Sequence, residues 1–338
     1  MSIPIDIVTL WAFIIAFAVF VYVVMDGFDL GLGILFPLFP AKADRDVIMN
    51  SVAPVWDGNE TWLVLGGGGM MAAFPLAYAV LMPALYTPII AMLIGLIFRG
   101  VAFEFRWRVQ GERNRNHWDL AFAGGAWVAA LAQGIALGAI LQGIHVEGRQ
   151  YAGGWWDWLT PFSILTGISL VIGYALLGAT WLVLKTEGGL RDKAYHFCWY
   201  LLFAMLLAIG AVSIATPFLH IQYAQRWFTW PNVALTAPVP IAVAAVTVAL
   251  LRALAKRQDS QPFYLALALF ALSYAGLGIS MYPYIVPQSI TIWQAASPEN
   301  SQIFMLFGVA VLIPLILGYT GWAYWVFRGK VRAGSGYH

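Results

Sequence analysis

Nine stretches of this 338-residue chain are apolar for long enough to cross a lipid bilayer. The hydrocarbon layer is about 30 Å thick and a helix rises about 1.5 Å per residue, so a span needs about 20 residues. Runs of that kind lie at about 7–36, 54–74, 77–103, 118–143, 160–185, 194–217, 232–254, 262–284 and 302–327. Backbone polar groups in lipid must find their partners within the segment, so such runs predict helices and the chain reads as an all-α polytopic membrane protein. Composition points the same way: 61% of residues are hydrophobic and 10% charged, where a soluble domain carries about a quarter charged residues. The first run is expected to persist as a helix rather than be cleaved as a signal peptide, since it is long and the first basic residue is Lys42. A single cysteine, Cys198, excludes an internal disulfide or a thiolate cluster, and a net charge of +2 offers no basic face for nucleic acid.

The basic residues orient the spans. With the N-terminus outside and the C-terminus inside, sixteen of the eighteen Lys and Arg fall in inner segments, and only Arg149 and Arg226 lie outside. That asymmetry is the positive-inside signal. Tryptophans at 155, 156 and 158, at 227 and 230, and at 322 and 325 read as interfacial belts at the ends of spans. No soluble domain boundary appears, so 1–338 reads as one membrane domain. Spans one and five run in the same direction, which suggests two parallel four-helix repeats, 1–145 and 155–290, followed by a peripheral ninth helix and a short inner tail over 300–338. The sequence support for the repeat is Tyr22 aligned with Tyr174, a following small residue and little else. Gly27 and Gly31, with the run Gly66 to Gly69, permit close helix approach.

The stretch "APVWDGNETWLVLGGGG" places Asp57 and Glu60 one turn apart at the start of the second span, and "MDGFDLGLG" places Asp26 and Asp29 near the end of the first. On the orientation above, these four acids and Glu104 converge on the inner leaflet. Charged groups near a span centre cost about 2.5–3.5 kcal/mol on insertion scales, less toward the interface, and commonly mark ion or proton paths. Asp57 and Glu60 follow Pro54, so complementing the positive end of the helix dipole is an equal alternative, worth about 0.3–1 kcal/mol each. Asp26 and Asp29 sit at the wrong end of their helix for that and need a partner. They share a face at i, i+3, and Arg99 is the expected counter-ion. A partly neutralised cluster of this sort suits proton uptake.

Other chemistries lack their residues. The histidines at 117, 145, 196, 220 and 338 all fall in loops or at helix ends, so no axial haem ligand is expected at membrane depth. No metal-ligand spacing occurs, and the run Gly66 to Gly69 lacks the Lys and Ser or Thr of a phosphate loop.

The motifs "MDGFDLGLG", "NSVAPVWDGNETWL", "FRGVAFEFR" and "MYPYIVP" resemble subunit II of the cytochrome bd family of bacterial quinol oxidases, most densely over the first four spans. The chain length also resembles the cyanide-insensitive branch. The resemblance implies a subunit of the bacterial inner membrane with no redox centre of its own, paired with a subunit I that holds two b-type haems and a haem d. That partner oxidises quinol and reduces oxygen to water. The resemblance leaves room for a small single-helix accessory subunit, and for a bound quinone or lipid. It further implies a cytoplasmic proton path that begins at Asp57, with Asp29, Arg99 and Glu104 at matching charged positions and oxygen entering near Trp62; Asp26 and Glu60 join that path on the charge argument above. Glu104 stands where other members carry Asp. Two other classes fit the residues: a proton-coupled secondary transporter, and a scaffolding subunit whose acids serve assembly alone.

Overall fold

The computed structural model describes residues 6–332, so His338 and the end of the expected inner tail lie outside it. Fourteen helices follow in order: α1 (Ile7–Leu35), α2 (Lys42–Asn50), α3 (Trp56–Ala73), α4 (Pro75–Ala84), α5 (Tyr86–Arg108), α6 (Glu112–Leu141), α7 (Pro161–Lys185), α8 (Gly188–Leu219), α9 (Ile221–Phe228), α10 (Asn232–Thr236), α11 (Pro238–Ala255), α12 (Gln261–Met281), α13 (Ile292–Ala295) and α14 (Glu299–Val326). Two small hairpins interrupt them: β1 (Val146–Glu147) with β2 (Gln150–Tyr151), and β3 (Tyr284–Val286) with β4 (Ile290–Thr291), both antiparallel.

Every apolar run forms helix, with one difference from expectation. The run at 77–103 is broken at Leu85 into α4 and α5, because Pro83 and Pro88 remove amide donors on either side of the joint. Eight helices are long and apolar enough to cross a membrane. The run at 54–74 is not among them: α3 has 18 residues and opens on Asp57, Asn59 and Glu60.

The long helices alternate in direction and leave two dissimilar ends. At one, which we call the basic end, Asp44 pairs with Lys193 at 2.8 Å, Arg191 with Asp259 at 3.2 Å, and the Val331 amide donates to the Lys185 carbonyl. Lys330 reaches Asp259 at 2.5 Å there; partial burial raises the pKa of this carboxyl, but the Lys330 and Arg191 charges outweigh it and hold the group below the usual carboxylate range. At the other, the hairpin end, Trp293 donates to Asp6, which also caps α1, and the Ser297 amide donates to the Ala73 carbonyl.

α1 is the axis of the bundle, with α3, α6 and α7 packed around it. α7 is the most enclosed span and α14 the least, with 72% and 6% of their apolar stretches buried. The wide apolar face of α14, including Phe304, Phe307, Leu315 and Trp322, is therefore left open. The α1–α7 contact depends on two glycines. A Cβ on Gly178 would lie 2.5 Å from the Gly31 carbonyl carbon, and one on Gly31 would run into the Tyr174 carbonyl. Such contact between backbones replaces the hydrophobic drive that is missing between helices in lipid. Farther along, Phe28 stacks on Trp181 with ring centroids 4.2 Å apart and closes the core against Phe263.

Gly31→Val is expected to force α1 from α7 and to cost about 3 kcal/mol or more, at the upper end of overpacking effects. Denaturant titration of the detergent-solubilised protein would register this as a lowered midpoint, whereas Gly67→Val on α3, where nothing lies within 4 Å, should leave the midpoint near wild type.

Candidate functional site

Three helices deliver charge to one buried point near the basic end. α5 carries Arg99 inward, fully buried, at a depth that only carboxylates can make tolerable. Its Nη1 lies 2.8 Å from Asp26 Oδ1 and 2.7 Å from Glu60 Oε1, and its Nη2 lies 3.5 Å from Asp29 Oδ2. Asp26 and Asp29 share the face of α1 that meets α3 and α5, and both are fully buried. Glu60 differs: its side chain is 27% exposed, so it joins the buried group to the surface. The Arg99 guanidinium also sits 6.0 Å from the centroids of Trp56 and Phe103, whose parallel rings cover it.

Neutral polar side chains complete the group. Asn59, buried on α3, donates to Asp29 Oδ2 at 2.7 Å and accepts from the Tyr324 hydroxyl at 2.9 Å, which ties α14 to the acids. One turn above Asp26 on α1, the Tyr22 hydroxyl accepts from Gln133 Nε2 at 2.7 Å, and Gln133 Oε1 accepts from the Tyr174 hydroxyl at 2.8 Å. Both oxygens of Asp26, Oδ1 of Asp29 and Nε of Arg99 have no hydrogen-bond partner among the described residues. The Asp26 contact with Arg99 is thus an ion pair set off the hydrogen-bond direction.

The expected residues separate into those the fold gathers and those it does not. Asp26, Asp29, Glu60 and Arg99 come together. Asp57 is exposed in the first turn of α3, one turn before Glu60. Glu104 is exposed as well and pairs with Arg108 at 3.4 Å along the outside of α5. Five residues after Arg99, it is turned about 140° around the helix axis. Trp62 is fully buried between α1 and α3, edge-to-face with Phe17 at 5.9 Å, and its indole N–H has no partner among the described residues.

Sequence reasoning missed Asn59, Tyr22, Gln133, Tyr174 and Tyr324 as members of the group. Signals existed for two of them. Tyr22 precedes Asp26 by four residues on one helical face, and Gln133 is a lone amide in the Ala- and Gly-rich stretch "AALAQGIALG". It also missed a second charge group. Arg106, buried two turns along α5 from Arg99, pairs with Asp119 and, at 2.7 Å, with Asp46, while Arg45 reaches Asp119 at 2.9 Å. That group balances two cations against two anions and fastens α2 across α5 and α6.

The described histidines lie in loops or in the N-terminal half of helices. His220 Nε2 is engaged with the Gln142 carbonyl at 2.7 Å, His145 lies in the loop that leads into β1, facing Glu147, and His117 and His196 lie in the second turn of α6 and the third turn of α8. Among the described residues no group of three or more His, Cys, Asp or Glu is arranged to hold a metal ion.

Comparison with known proteins gives this geometry its context. The sequence model of the family described as cytochrome bd terminal oxidase subunit II matches residues 7–327. The chain belongs to this family. Its relatives include the cytochrome bd-I ubiquinol oxidase subunit 2 of Escherichia coli (strain K12), 30% identical over 95% of this chain and 94% of the other. The cytochrome bd ubiquinol oxidase subunit 2 of Bacillus subtilis (strain 168) is 27% identical over 95% and 96%. The bd oxidase structure from Geobacillus thermodenitrificans shares the fold with a TM-score of 0.73 at 18% identity, over 95% of this chain and 98% of that one. The Arg99 group therefore lies inside a subunit II fold, in a family whose members are parts of an oxidoreductase complex.

Removal of the cation leaves three carboxylates facing one another, two of them sealed from solvent. Arg99→Ala is expected to lose about 3–5 kcal/mol, as for other buried pairs broken on one side. Combining Arg99→Gln with Asp26→Asn should recover a good part of that loss; denaturant midpoints of the single and double variants measure the difference.

Proposed function

We propose that this chain is the haem-free subunit II of a terminal quinol:oxygen oxidoreductase in the bacterial cytoplasmic membrane, and that its Arg99 group forms part of the proton path from the cytoplasm. The observation that carries the proposal is the imbalance of the group: one guanidinium facing three carboxylates, two sealed from solvent and the third, Glu60, reaching the surface. A site that holds two uncompensated charges at low dielectric is costly, so taking up a proton is favourable; a group open at one edge can also release it. The fourth acid, Asp57, stands exposed one turn from Glu60, where it can gather protons at the mouth.

In this reading α3 joins the eight long apolar helices in crossing the membrane, with the N-terminus outside, which puts the basic end and the acid mouth in the cytoplasm. Spans one to four and five to eight form the two parallel repeats, with α14 peripheral. A haem-bearing subunit I covers the open apolar surface of α14 and the adjoining part of α3, and Trp62 lines oxygen access. The haems belong to that partner, where they supply the redox chemistry that consumes the protons. Drawing those protons from the cytoplasm, while quinol releases its own outside, makes turnover electrogenic.

Asp57→Asn and Glu60→Gln in the assembled complex should slow oxidase turnover by about tenfold, equivalent to about 1.4 kcal/mol of barrier, with haem absorbance per complex nearly unchanged. Turnover at the wild-type rate with full haem content would remove both residues from the path. Loss of assembly rather than of rate would instead favour a scaffolding role, and purification without any haem-bearing partner would favour a transporter.

A further inference from the structure

The hairpin end holds a polar cleft that the proton path does not use. It has a volume of about 330 Å³ and is lined by Gln222, Gln225, Arg226, Asn232, Pro283 and Tyr284. Gln222, Gln225 and Arg226 stand at i, i+3 and i+4 on α9, so the helix turns one polar face into the cleft. The remainder of α9 is anchored. The buried Tyr223 donates to the Leu141 carbonyl at 2.9 Å, and Trp227 donates to Ser280 Oγ at 2.9 Å. Around the cleft, Ile221, Phe228, Trp230 and Leu235 are exposed to the extent of 69%, 69%, 81% and 77%. A short amphipathic helix flanked by bare aromatic and aliphatic side chains lies in the plane of a membrane interface, at headgroup depth.

Arg226 is the charge in this cleft. Its Nη1 donates to the carbonyls of Ile279 and Tyr282, which fixes the guanidinium plane, while Nε and Nη2 bond no protein acceptor among the described residues. No described carboxylate lies within ion-pair distance of it: at this end Asp6 is engaged with Thr9 and Trp293, and Asp157 with Tyr151 and Gly154. A guanidinium fork held by one nitrogen presents the other two in the geometry that takes two oxygens of a phosphate. The amides of Gln222, Gln225 and Asn232 add donors and acceptors that suit hydroxyl groups, and no acidic side chain is present to receive an ammonium.

We infer that this cleft binds the headgroup of an anionic phospholipid of the phosphatidylglycerol type, with the phosphate on Arg226, the glycerol hydroxyls among the three amides, and the acyl chains against the exposed apolar side chains around α9. On the orientation proposed above it is a lipid of the outer leaflet, although the chemistry of the cleft does not depend on that assignment.

The test uses the complex with its partner subunit, stripped of lipid in detergent and placed in nanodiscs of mixed phosphatidylglycerol and phosphatidylcholine. Lipid that stays with the complex on re-extraction is then counted by mass spectrometry. The informative variant is Gln225→Leu combined with Asn232→Leu, which fills the cleft and leaves Tyr223, Arg226 and Trp227 on their anchors. Wild type should retain phosphatidylglycerol over phosphatidylcholine, and the double variant should retain about fivefold less of it, the effect of losing one or two hydrogen bonds. Assembly yield and oxidase turnover should not change. Arg226→Lys, which keeps the charge and loses the fork, should give an intermediate loss. Equal retention by wild type and the double variant overturns the inference. Displacement of the lipid by inorganic phosphate alone also overturns it, because the cleft would then be a general anion site.

Discussion

A guanidinium buried inside a helical bundle at membrane depth is tolerable only against carboxylates, and carboxylates at that depth only against a cation. Arg99 and the acids around it satisfy each other, and the local architecture follows from that necessity. Two unit charges 4 Å apart attract by about 4 kcal/mol at an effective dielectric of about 20, a sum easily lost if either charge is left without its partner. The arrangement therefore fixes α1, α3 and α5 at a common depth and rotation. It also embeds α3, which is short and opens on polar residues. Through Asn59 and Tyr324 the same group reaches α14, a helix that the rest of the chain scarcely covers.

Two charge groups on one helix differ in their balance of charge. Arg106 lies two turns beyond Arg99, and its group sets two cations against two anions, each salt bridge closed. This group holds α2 across the ends of α5 and α6. At Arg99 the count is three to one. Three carboxylates face one guanidinium there, and the partial exposure of Glu60 leaves the group open at one edge.

The opposite end of the molecule relies on different physics. Its hairpins and short helices are held by backbone carbonyls, indole N–H groups and side-chain caps rather than by ion pairs, as with Trp293 on Asp6 and Tyr223 on Leu141. Arg226 stands out there because, among the described residues, its guanidinium is met by backbone carbonyls and by no carboxylate.

Much was legible from the sequence by itself. Hydropathy adds along the chain, so the apolar runs located the helices, and the acids in "MDGFDLGLG" and "WDGNE" identified themselves by standing where apolar residues belong. The expected partnership of Asp26 and Asp29 with Arg99 followed from charge and depth. What the sequence could not decide was rotation. Glu104 and Arg106 are two residues apart, yet one faces outward and the other lies buried, and Asp57 stands at the surface while Asn59 closes the group from within. The break at Leu85, the chain of Tyr22, Gln133 and Tyr174, and the glycine contact of α1 with α7 were likewise settled in three dimensions. Depth is a property of a segment, but facing is a property of pairs of helices. It is set by how closely their backbones approach and at what angle they cross, and no single stretch of chain contains that information.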